Sequence, residues 1–301
     1  MINKKKVVVV GGGTAGLLIA NNLKDHFDVT IVEKSQYQKY PNWFKPPLMI
    51  GLLFRSKKLK YMSKRDFIMS DGRHIPFFES NLLGGASVIN GCVHMLGNKT
   101  AWSTILDKFE SNYDELINAH KKNYSLNSKN KTKITLSSSH QSFIDKAFIK
   151  SVNLLGIPKG DSNYSDFESC GPIYNTVRRI YRSSILSIIN NKSFKYSINE
   201  CVDELLFNGS KIVGVKTNSR KIDADYVILS GGVIGTCELL LNESENQKNK
   251  GNHILNGLTF GEKIQDHTNL RINILTNKNI GSLNEISNSF YQKITLVLKH
   301  F

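Results

Sequence analysis

Cysteine is scarce in this 301-residue sequence, and no apolar run is long enough to span a bilayer. The four cysteines, at positions 92, 170, 201 and 237, form no Cys-x-x-Cys pair. This spacing argues against a zinc site and against a disulfide framework, so no metal ligand is predicted. Reduced thiols are typical of the cytoplasm, where we expect the chain to be located. The absence of an apolar span excludes a multi-span membrane protein.

Arginine is scarce as well, although the chain is strongly basic. Its 40 Lys and Arg against 25 Asp and Glu give a net charge of +15, but only 8 of the basic residues are arginine and 31 residues are asparagine. Base readout and bidentate phosphate contacts favour arginine. A Lys- and Asn-rich composition is also what an AT-rich coding sequence would produce. We therefore expect no nucleic-acid partner.

The first 33 residues have the pattern of a β-α-β unit. Lys6 to Val10 is an apolar run typical of a strand buried on both faces, and residues 17–23 predict a helix. Asp28 to Val32 returns to a strand pattern and is followed by Glu33. The segment between the first strand and the helix reads Gly-Gly-Gly-Thr-Ala-Gly over residues 11–16, which is a G-x-G-x-x-G motif in its required context.

Each part of this motif has a physical role in binding a dinucleotide. Gly11 allows a tight turn, Gly13 lets a pyrophosphate approach the backbone, and Gly16 lets the helix pack closely on the strand. The N-terminus of the helix favours the anion. Glu33 is placed to accept a hydrogen bond from the adenosine ribose, and an acid there argues against a 2′-phosphate. The pattern predicts FAD or NAD and does not choose between them.

The choice between FAD and NAD comes from a second glycine motif, which resembles that of a known family. Residues 82–93 read Leu-Leu-Gly-Gly-Ala-Ser-Val-Ile-Asn-Gly-Cys-Val. Related blocks stand in order at 72–76, 97–98, 156–158, 182–183, 226–236 and 261–267. Together they resemble the glucose-methanol-choline (GMC) oxidoreductases, collinearly over residues 5–275, and the resemblance implies FAD.

The resemblance also implies the fold class, an α/β protein. A Rossmann-like FAD-binding domain, with a parallel sheet and a three-stranded β-meander, would comprise residues 1–105 and 170–268. Residues 106–169 and 269–301 would form a partial substrate or cap domain, with the first strands of an antiparallel sheet at 271–275 and 294–298. The meander is expected over residues 200–224, with a turn at Asn208-Gly209. Arg182 would start a helix, and residues 242–256 are expected to form a loop.

The same resemblance places the cofactor-binding residues. Gly84 and Gly85 would let a second loop close over the diphosphate, and Ser87 could donate to a phosphate oxygen. Residues 90–93 would run under the isoalloxazine ring. The predicted FAD-binding residues are Gly11, Gly13, Thr14, Ala15, Gly16, Glu33, Gly84, Gly85, Ser87, Asn90, Gly91, Cys92, Val93, Val202, Ser230 and Gly231.

Departures from the family pattern concern attachment of the flavin and catalysis. Phe77 stands where members that bind FAD covalently carry a histidine, so we expect non-covalent FAD. The family's His-Pro-x-Gly-Thr block, whose histidine acts as the base on the substrate hydroxyl, does not occur in these 301 residues. No catalytic residue is therefore predicted here. His94 could face the flavin, although a histidine in such a run more often fills a strand.

Two functions follow from these observations. The first is an FAD-dependent oxidoreductase that transfers a hydride from an alcohol or aldehyde CH–OH donor to flavin N5. The chain would then be the FAD-binding half, and a second chain or a C-terminal segment would supply the base. The second is a flavin-binding protein without catalysis, a truncated or degenerate remnant.

Overall fold

The computed structural model describes residues 4–38, 42, 45–49, 61–69, 71–126, 132–138, 141–160, 169–189, 194–252, 255, 257–262 and 264. The helices are α1 (Thr14–Leu23), α2 (Lys99–Leu106), α3 (Tyr113–Asn123), α4 (Phe143–Leu154) and α5 (Gly232–Asn249). The strands are β1 (Lys6–Val10), β2 (Asp28–Glu33), β3 (Met62–Ile68), β4 (His74–Ser80), β5 (Val93–His94), β6 (Tyr124–Leu126), β7 (Ile134–Ser138), β8 (Tyr174–Asn175), β9 (Val177–Arg178), β10 (Tyr181–Arg182), β11 (Lys195–Ile198), β12 (Val202–Asn208), β13 (Lys211–Thr217), β14 (Lys221–Asp223) and β15 (Tyr226–Leu229). Short 3-10 helices lie at Pro47–Met49, Gly85–Val88, Asp107–Phe109 and Ile185–Ser187. No helix in the described ranges is long and apolar enough to cross a membrane.

The chain forms two compact units, which are described separately. The first unit takes the described residues within 1–40, 57–89 and 189–270, and the second takes those within 41–56 and 90–188. These boundaries differ from the domain boundaries expected at 105/106 and 169/170. The difference arises because β5 and β8, which lie in the expected FAD domain, pair with each other and β8 pairs with β7. These pairings join residues 93–94 and 174–175 to the second unit.

The first unit is built on a parallel sheet with strand order β11-β2-β1-β15. The central strand β1 pairs with β2 on one side and with β15 on the other, in register from Val7 to Val10. Residues Val7, Val8 and Val9 are at most 2% exposed, as expected for a strand covered on both faces. The β1-α1-β2 connection places the first glycine motif at the carboxyl end of this sheet.

The predicted meander is present in the same unit. Strands β12, β13 and β14 form an antiparallel sheet in that order. The two-residue turn between β12 and β13 is Gly209 and Ser210, one residue later than expected, because Asn208 still pairs with Lys211. Their apolar side chains form a core with the parallel sheet and α5 through Val8, Val32, Val202, Leu205, Val215, Ala224 and Leu239.

Helix α5 extends further than the sequence indicated. The expected loop over residues 242–256 is wrong for residues 242–249, which continue the helix to Asn249. Glu243 is 0% exposed and accepts hydrogen bonds from the Leu205 backbone N–H (3.0 Å) and from Gln247 Nε2 (2.6 Å). A buried polar network therefore holds this polar stretch in the fold, where composition alone favoured a loop.

The second unit contains a four-stranded sheet with order β5-β8-β7-β6 and the β9–β10 hairpin. The expectation that Arg182 starts a helix is wrong, because Arg182 lies in β10 opposite Val177 and a single 3-10 turn follows at Ile185–Ser187. Ser183 N–H donates to Thr176 O (2.8 Å), which extends the hairpin by one more bond. The antiparallel strands expected at 271–275 and 294–298 lie outside the described residues.

Candidate functional site

The first glycine motif packs tightly on one side and borders open space on the other. Gly11 has a φ of +100°, and a Cβ there would lie 2.5 Å from Ser230 O. A Cβ on Gly16 would lie 2.0 Å from Gly11 O. Gly13 differs from both, because a Cβ there would meet no atom within 4 Å. Packing of the protein itself thus requires glycine at 11 and 16, whereas glycine at 13 leaves room for something outside the protein.

Helix α1 begins at Thr14, immediately after Gly13. In the described part of the chain no side chain caps this N-terminus, and no acidic residue lies in the first turn. Ala15 is exposed there. The first N–H groups of a helix have no partner within the helix, and the helix dipole makes this end positive. An anion such as a diphosphate fits this arrangement.

Glu33 is a buried carboxylate that holds the glycine loop. It ends β2, is 8% exposed, and accepts hydrogen bonds from Gly12 N–H (2.5 Å) at Oε2 and from Ser35 N–H (2.8 Å) at Oε1. Each carboxylate oxygen can accept a further hydrogen bond. The ribose contact expected from the sequence would use this remaining capacity and stays a prediction.

The second glycine motif contacts the first directly. Gly84 N–H donates to Gly12 O (2.8 Å), and Thr14 Oγ1 donates to Gly84 O (3.4 Å). A Cβ on Gly85 would lie 2.9 Å from Gly13 Cα, so only glycine permits this approach. Ser87 Oγ donates to Gly84 O (2.7 Å), within its own 3-10 turn. The two motifs, 70 residues apart at Thr14 and Gly84, therefore form one backbone cradle beside the open side of Gly13.

Three more predicted residues lie in the first unit. Ser230 follows β15, its N–H donates to Val10 O (2.8 Å), and its Oγ donates to Val10 O (3.0 Å) and Gly11 O (3.1 Å). Gly231 is the N-cap residue of α5. Val202 begins β12 and packs in the core, with 9% exposure. Ser230 thus ties the end of β15 to the turn that Gly11 makes.

The remaining predicted residues, Asn90 to Val93, belong to the second unit and form a turn that enters β5. Cys92 is 1% exposed and adopts a φ of +63°, which is unusual for a residue with a side chain. Asn90 Oδ1 accepts from Cys92 N–H (3.2 Å), and Gly91 is exposed between them. Burial raises the pKa of the Cys92 thiol, although the nearby Arg182 charge opposes this. Val93 is 55% exposed.

His94 does not have the surroundings of a catalytic base. Its Nε2 lies 2.7 Å from His120 Nε2, and with ring centroids 4.9 Å apart the two imidazoles meet end to end. One nitrogen donates and the other accepts. Burial lowers the pKa of both rings, that of His120 to about 4, so both are neutral near pH 7. His267, in the last family block, lies outside the described residues.

Comparison with known proteins assigns the family. The family model described as GMC oxidoreductase matches residues 5–269. The chain belongs to the GMC oxidoreductase family. Oxygen-dependent choline dehydrogenase of Staphylococcus aureus (strain JH9) is 26% identical to this GMC chain over 319 residues, which cover 90% of the chain and 54% of the relative. The chain therefore spans about half the length of the curated relatives it matches.

Solved structures agree with the fold of this GMC chain. Pyridoxine 4-oxidase from Mesorbium loti matches with a TM-score of 0.67 and 17% identity, over 82% of the chain and 54% of that structure. An FAD-dependent oxidoreductase from Chaetomium thermophilum matches with a TM-score of 0.66 and 16% identity, over 82% and 49%. The GMC oxidoreductases are FAD-binding flavoproteins, and the Chaetomium thermophilum structure is named as an FAD-dependent oxidoreductase.

The residues of the first unit fit FAD on their own geometry. The cradle of glycine backbone, the uncapped start of α1 and the buried Glu33 offer donors for a diphosphate and acceptors for a ribose. Sequence reasoning missed a contact within the second unit, where Arg182 Nη1 donates to Asn90 O, 92 residues away in the chain. The family block at 182–183 marked the residue, but no spacing or periodicity could have indicated its partner.

Proposed function

We propose that this chain is the FAD-binding part of a GMC-type oxidoreductase that takes a hydride from an alcohol or aldehyde CH–OH donor. When bound, FAD would supply the hydride acceptor at N5. The contact between the two glycine motifs carries the proposal, because it builds a backbone cradle around Gly13, which borders open space. Membership of the GMC family supplies the cofactor and the reaction class.

Each candidate residue has a role in this proposal that follows from its surroundings. The N–H groups at the start of α1 and the Gly84–Gly85 turn bind the diphosphate, and the hydroxyl of Ser87 can rotate from Gly84 O toward a phosphate oxygen. Glu33 orients Gly12 N–H and accepts from the ribose. The family resemblance assigns the turn at Asn90 to Val93 to the flavin ring, and within this turn the Cys92 N–H is bonded to Asn90 Oδ1. Phe77 cannot form a bond to the flavin, so FAD is bound non-covalently.

The base on the substrate hydroxyl is the part of the reaction that these residues do not supply. The family's His-Pro-x-Gly-Thr block is not among the 301 residues, and the ring nitrogens of His94 and His120 that face each other are already engaged. We propose that polypeptide outside these residues, in the same chain or a second one, supplies the base. The substrate is a small alcohol-type molecule, in keeping with relatives named choline dehydrogenase. Cytoplasmic localisation remains part of this proposal, supported by the four free cysteines.

The alternative is a flavin-binding protein without catalysis. Titration of the purified chain with FAD, followed by fluorescence, tests the binding function that both share, and acid precipitation tests whether the flavin is released. We expect saturable binding and full release of FAD. Dye reduction by a panel of alcohols then separates the two functions when the chain is combined with a polypeptide carrying the His-Pro-x-Gly-Thr block. No binding of FAD would reject both.

A further inference from the structure

Ser35 is a buried residue whose backbone groups are bonded and whose hydroxyl is not. It lies two residues after the end of β2 and is 3% exposed, between the exposed residues Lys34 and Gln36. Its N–H donates to Glu33 Oε1 (2.8 Å), and its carbonyl accepts from Asn199 N–H (3.0 Å). Its Oγ, in contrast, has no hydrogen-bond partner in the part of the chain that the structure describes. The backbone of Ser35 is thus fixed, whereas its hydroxyl remains available.

A buried hydroxyl without a partner has an energetic cost that alanine would avoid. Moving a hydroxyl out of water without a new hydrogen bond destabilises the folded state, whereas a methyl group carries no such cost. Buried polar groups in folded proteins are nearly always hydrogen-bonded, so an exception calls for an explanation. The stability of the chain alone therefore does not explain a serine at position 35.

The position of this hydroxyl in the first unit indicates what it could bind. The N–H groups of Ser35 and Gly12 donate to the two different oxygens of the Glu33 carboxylate, which joins Ser35 to the first glycine motif. Tyr37, two residues further on, has a carbonyl that accepts from Leu83 N–H (2.9 Å), at the start of the second motif. All five residues belong to the first unit. Ser35 therefore lies on a short segment that is bonded to both glycine motifs, beside the carboxylate to which the ribose is assigned.

A carboxylate and a hydroxyl together can satisfy a sugar hydroxyl in full. The carboxylate of Glu33 can only accept, so it binds the proton of a ribose hydroxyl and leaves the lone pairs of that hydroxyl without a donor. Ser35 Oγ can donate to those lone pairs. Rotation about the Cα–Cβ bond of Ser35 moves Oγ between staggered positions while the backbone hydrogen bonds stay in place. A phosphate on the ribose, in contrast, would bring negative charge against the carboxylate.

We infer that Ser35 is a specificity-determining residue of the cofactor site, whose hydroxyl donates to a ribose hydroxyl in the adenosine half of FAD. The inference rests on the proposed function, in which Glu33 accepts from the same ribose. Ser35 and Glu33 then act as donor and acceptor on one sugar hydroxyl. Such a pair selects a nucleotide with a free ribose hydroxyl over a deoxynucleotide and over a ribose phosphate.

Calorimetric titration of the chain with ADP and with FAD tests the inference, since ADP carries the adenosine and the diphosphate of FAD without its flavin. Ser35→Ala should raise the Kd for both ligands about threefold to tenfold, the effect of losing one hydrogen bond between neutral groups. The melting temperature of the chain without ligand should be unchanged or higher, because the variant removes a buried hydroxyl that has no partner.

Thr135→Val is the matched control. Thr135 Oγ1 is also buried without a hydrogen-bond partner, but it lies in β7 of the second unit. Valine removes that hydroxyl at nearly constant volume, so the melting temperature should again be unchanged or higher. The Kd for ADP should equal that of the wild type. The comparison separates the removal of a buried hydroxyl in general from the removal of the one beside Glu33.

Two deoxy analogues identify the hydroxyl that Ser35 contacts. The wild-type chain should bind 2′-deoxy-ADP or 3′-deoxy-ADP more weakly than ADP, and for that analogue Ser35→Ala should cause no further loss. An equal loss for ADP and both analogues would overturn the inference alone, as would an unchanged Kd for ADP and FAD in Ser35→Ala. A lowered melting temperature with unchanged affinity would assign Ser35 a structural role instead. A wild-type chain that binds neither ADP nor FAD would overturn the proposed function together with the inference.

Discussion

The variant Gly13→Ala should weaken the binding of FAD while it leaves the free energy of unfolding nearly unchanged. The residue is extended (φ −75°, ψ −171°), a conformation that alanine adopts freely, and its Cβ would meet no protein atom within 4 Å. As the N-cap of α1, alanine is worse than glycine by about 1 kcal/mol. Alanine also lowers the conformational entropy of the unfolded chain, which stabilises the folded state by about 0.4–1 kcal/mol. We therefore expect the free energy of unfolding to change by less than about 1 kcal/mol.

Binding of FAD should change far more than stability. The added methyl group projects into the space that the two glycine motifs border, where the proposed diphosphate must approach the backbone. We expect the Kd for FAD to rise at least tenfold, which corresponds to about 1.4 kcal/mol. Fluorescence titration measures the Kd, and urea unfolding of the chain without FAD measures the stability.

Two matched glycine-to-alanine variants complete the experiment. Gly16→Ala places its Cβ 2.0 Å from Gly11 O and should destabilise the fold by about 3 kcal/mol or more. Gly235→Ala lies in the first turn of α5, where its Cβ meets nothing within 4 Å, and should leave both quantities unchanged or slightly stabilise the helix. Wild-type FAD affinity in Gly13→Ala would refute the assignment of this cradle to the diphosphate.

Three further predictions concern buried polar groups. Glu243→Ala leaves the Leu205 N–H without its acceptor and opens a cavity. Urea unfolding should therefore show a free energy of unfolding that is lower by about 2–4 kcal/mol. A decrease of less than about 0.5 kcal/mol would contradict a stabilising role for this hydrogen-bond network. Burial is the main cause that lowers the pKa of His120 to about 4, so its neutral form stabilises the fold above pH 6.5 and this contribution is lost as the pH falls toward 4. His120→Gln should therefore reduce the fall in the free energy of unfolding between pH 6.5 and pH 4 by up to about 3 kcal/mol. Denaturation experiments at a series of pH values measure this fall, and an unchanged pH dependence in the variant would argue against the buried histidine pair. Burial alone would raise the pKa of Glu200, but hydrogen bonds, above all that from Arg220, lower this pKa to about 2. The ionised Glu200 therefore stabilises the fold above pH 4.5, and this stabilisation is lost as the pH falls toward 2. Glu200→Gln should destabilise the chain by up to about 3 kcal/mol at pH 7 and much less at pH 2.5, and equal losses at both pH values would be inconsistent with this assignment.

The sequence predicted those parts of the fold that depend on local pattern. The apolar run at Val7–Val9, the glycine motif and the meander each carry their own periodicity or turn chemistry, and all three are present, with the turn one residue later than expected, at Gly209 and Ser210. The helix at 242–249 was missed because its polar residues are buried by tertiary partners, Leu205 for Glu243. Arg182 was assigned to a helix on the family resemblance, and its pairing with Val177 is set by the hairpin and leaves no signal in composition.

The candidate site also contains residues that a sequence motif predicts and contacts that it does not. Gly11 and Gly16 could be predicted because a known motif fixes their spacing, and the structure gives each a steric reason. The role of Gly84 and Gly85 over the diphosphate came only from the family resemblance. The contact of Gly85 with Gly13 was not predicted, since two glycine motifs carry no information about their mutual distance.

The pairing of β1 with β15 has a consequence for when the cofactor can be captured. Gly11, whose turn begins the cradle, is bonded through its carbonyl to a serine 219 residues later in the chain. A ribosome-bound chain that has not yet exposed residues 226–229 leaves β1 without one of its two neighbours. The Gly11 turn then lacks the Ser230 contacts that shape it. Loading of FAD should therefore be a late event in synthesis, and fragments that end before β15 should emerge without flavin however complete their glycine motifs are.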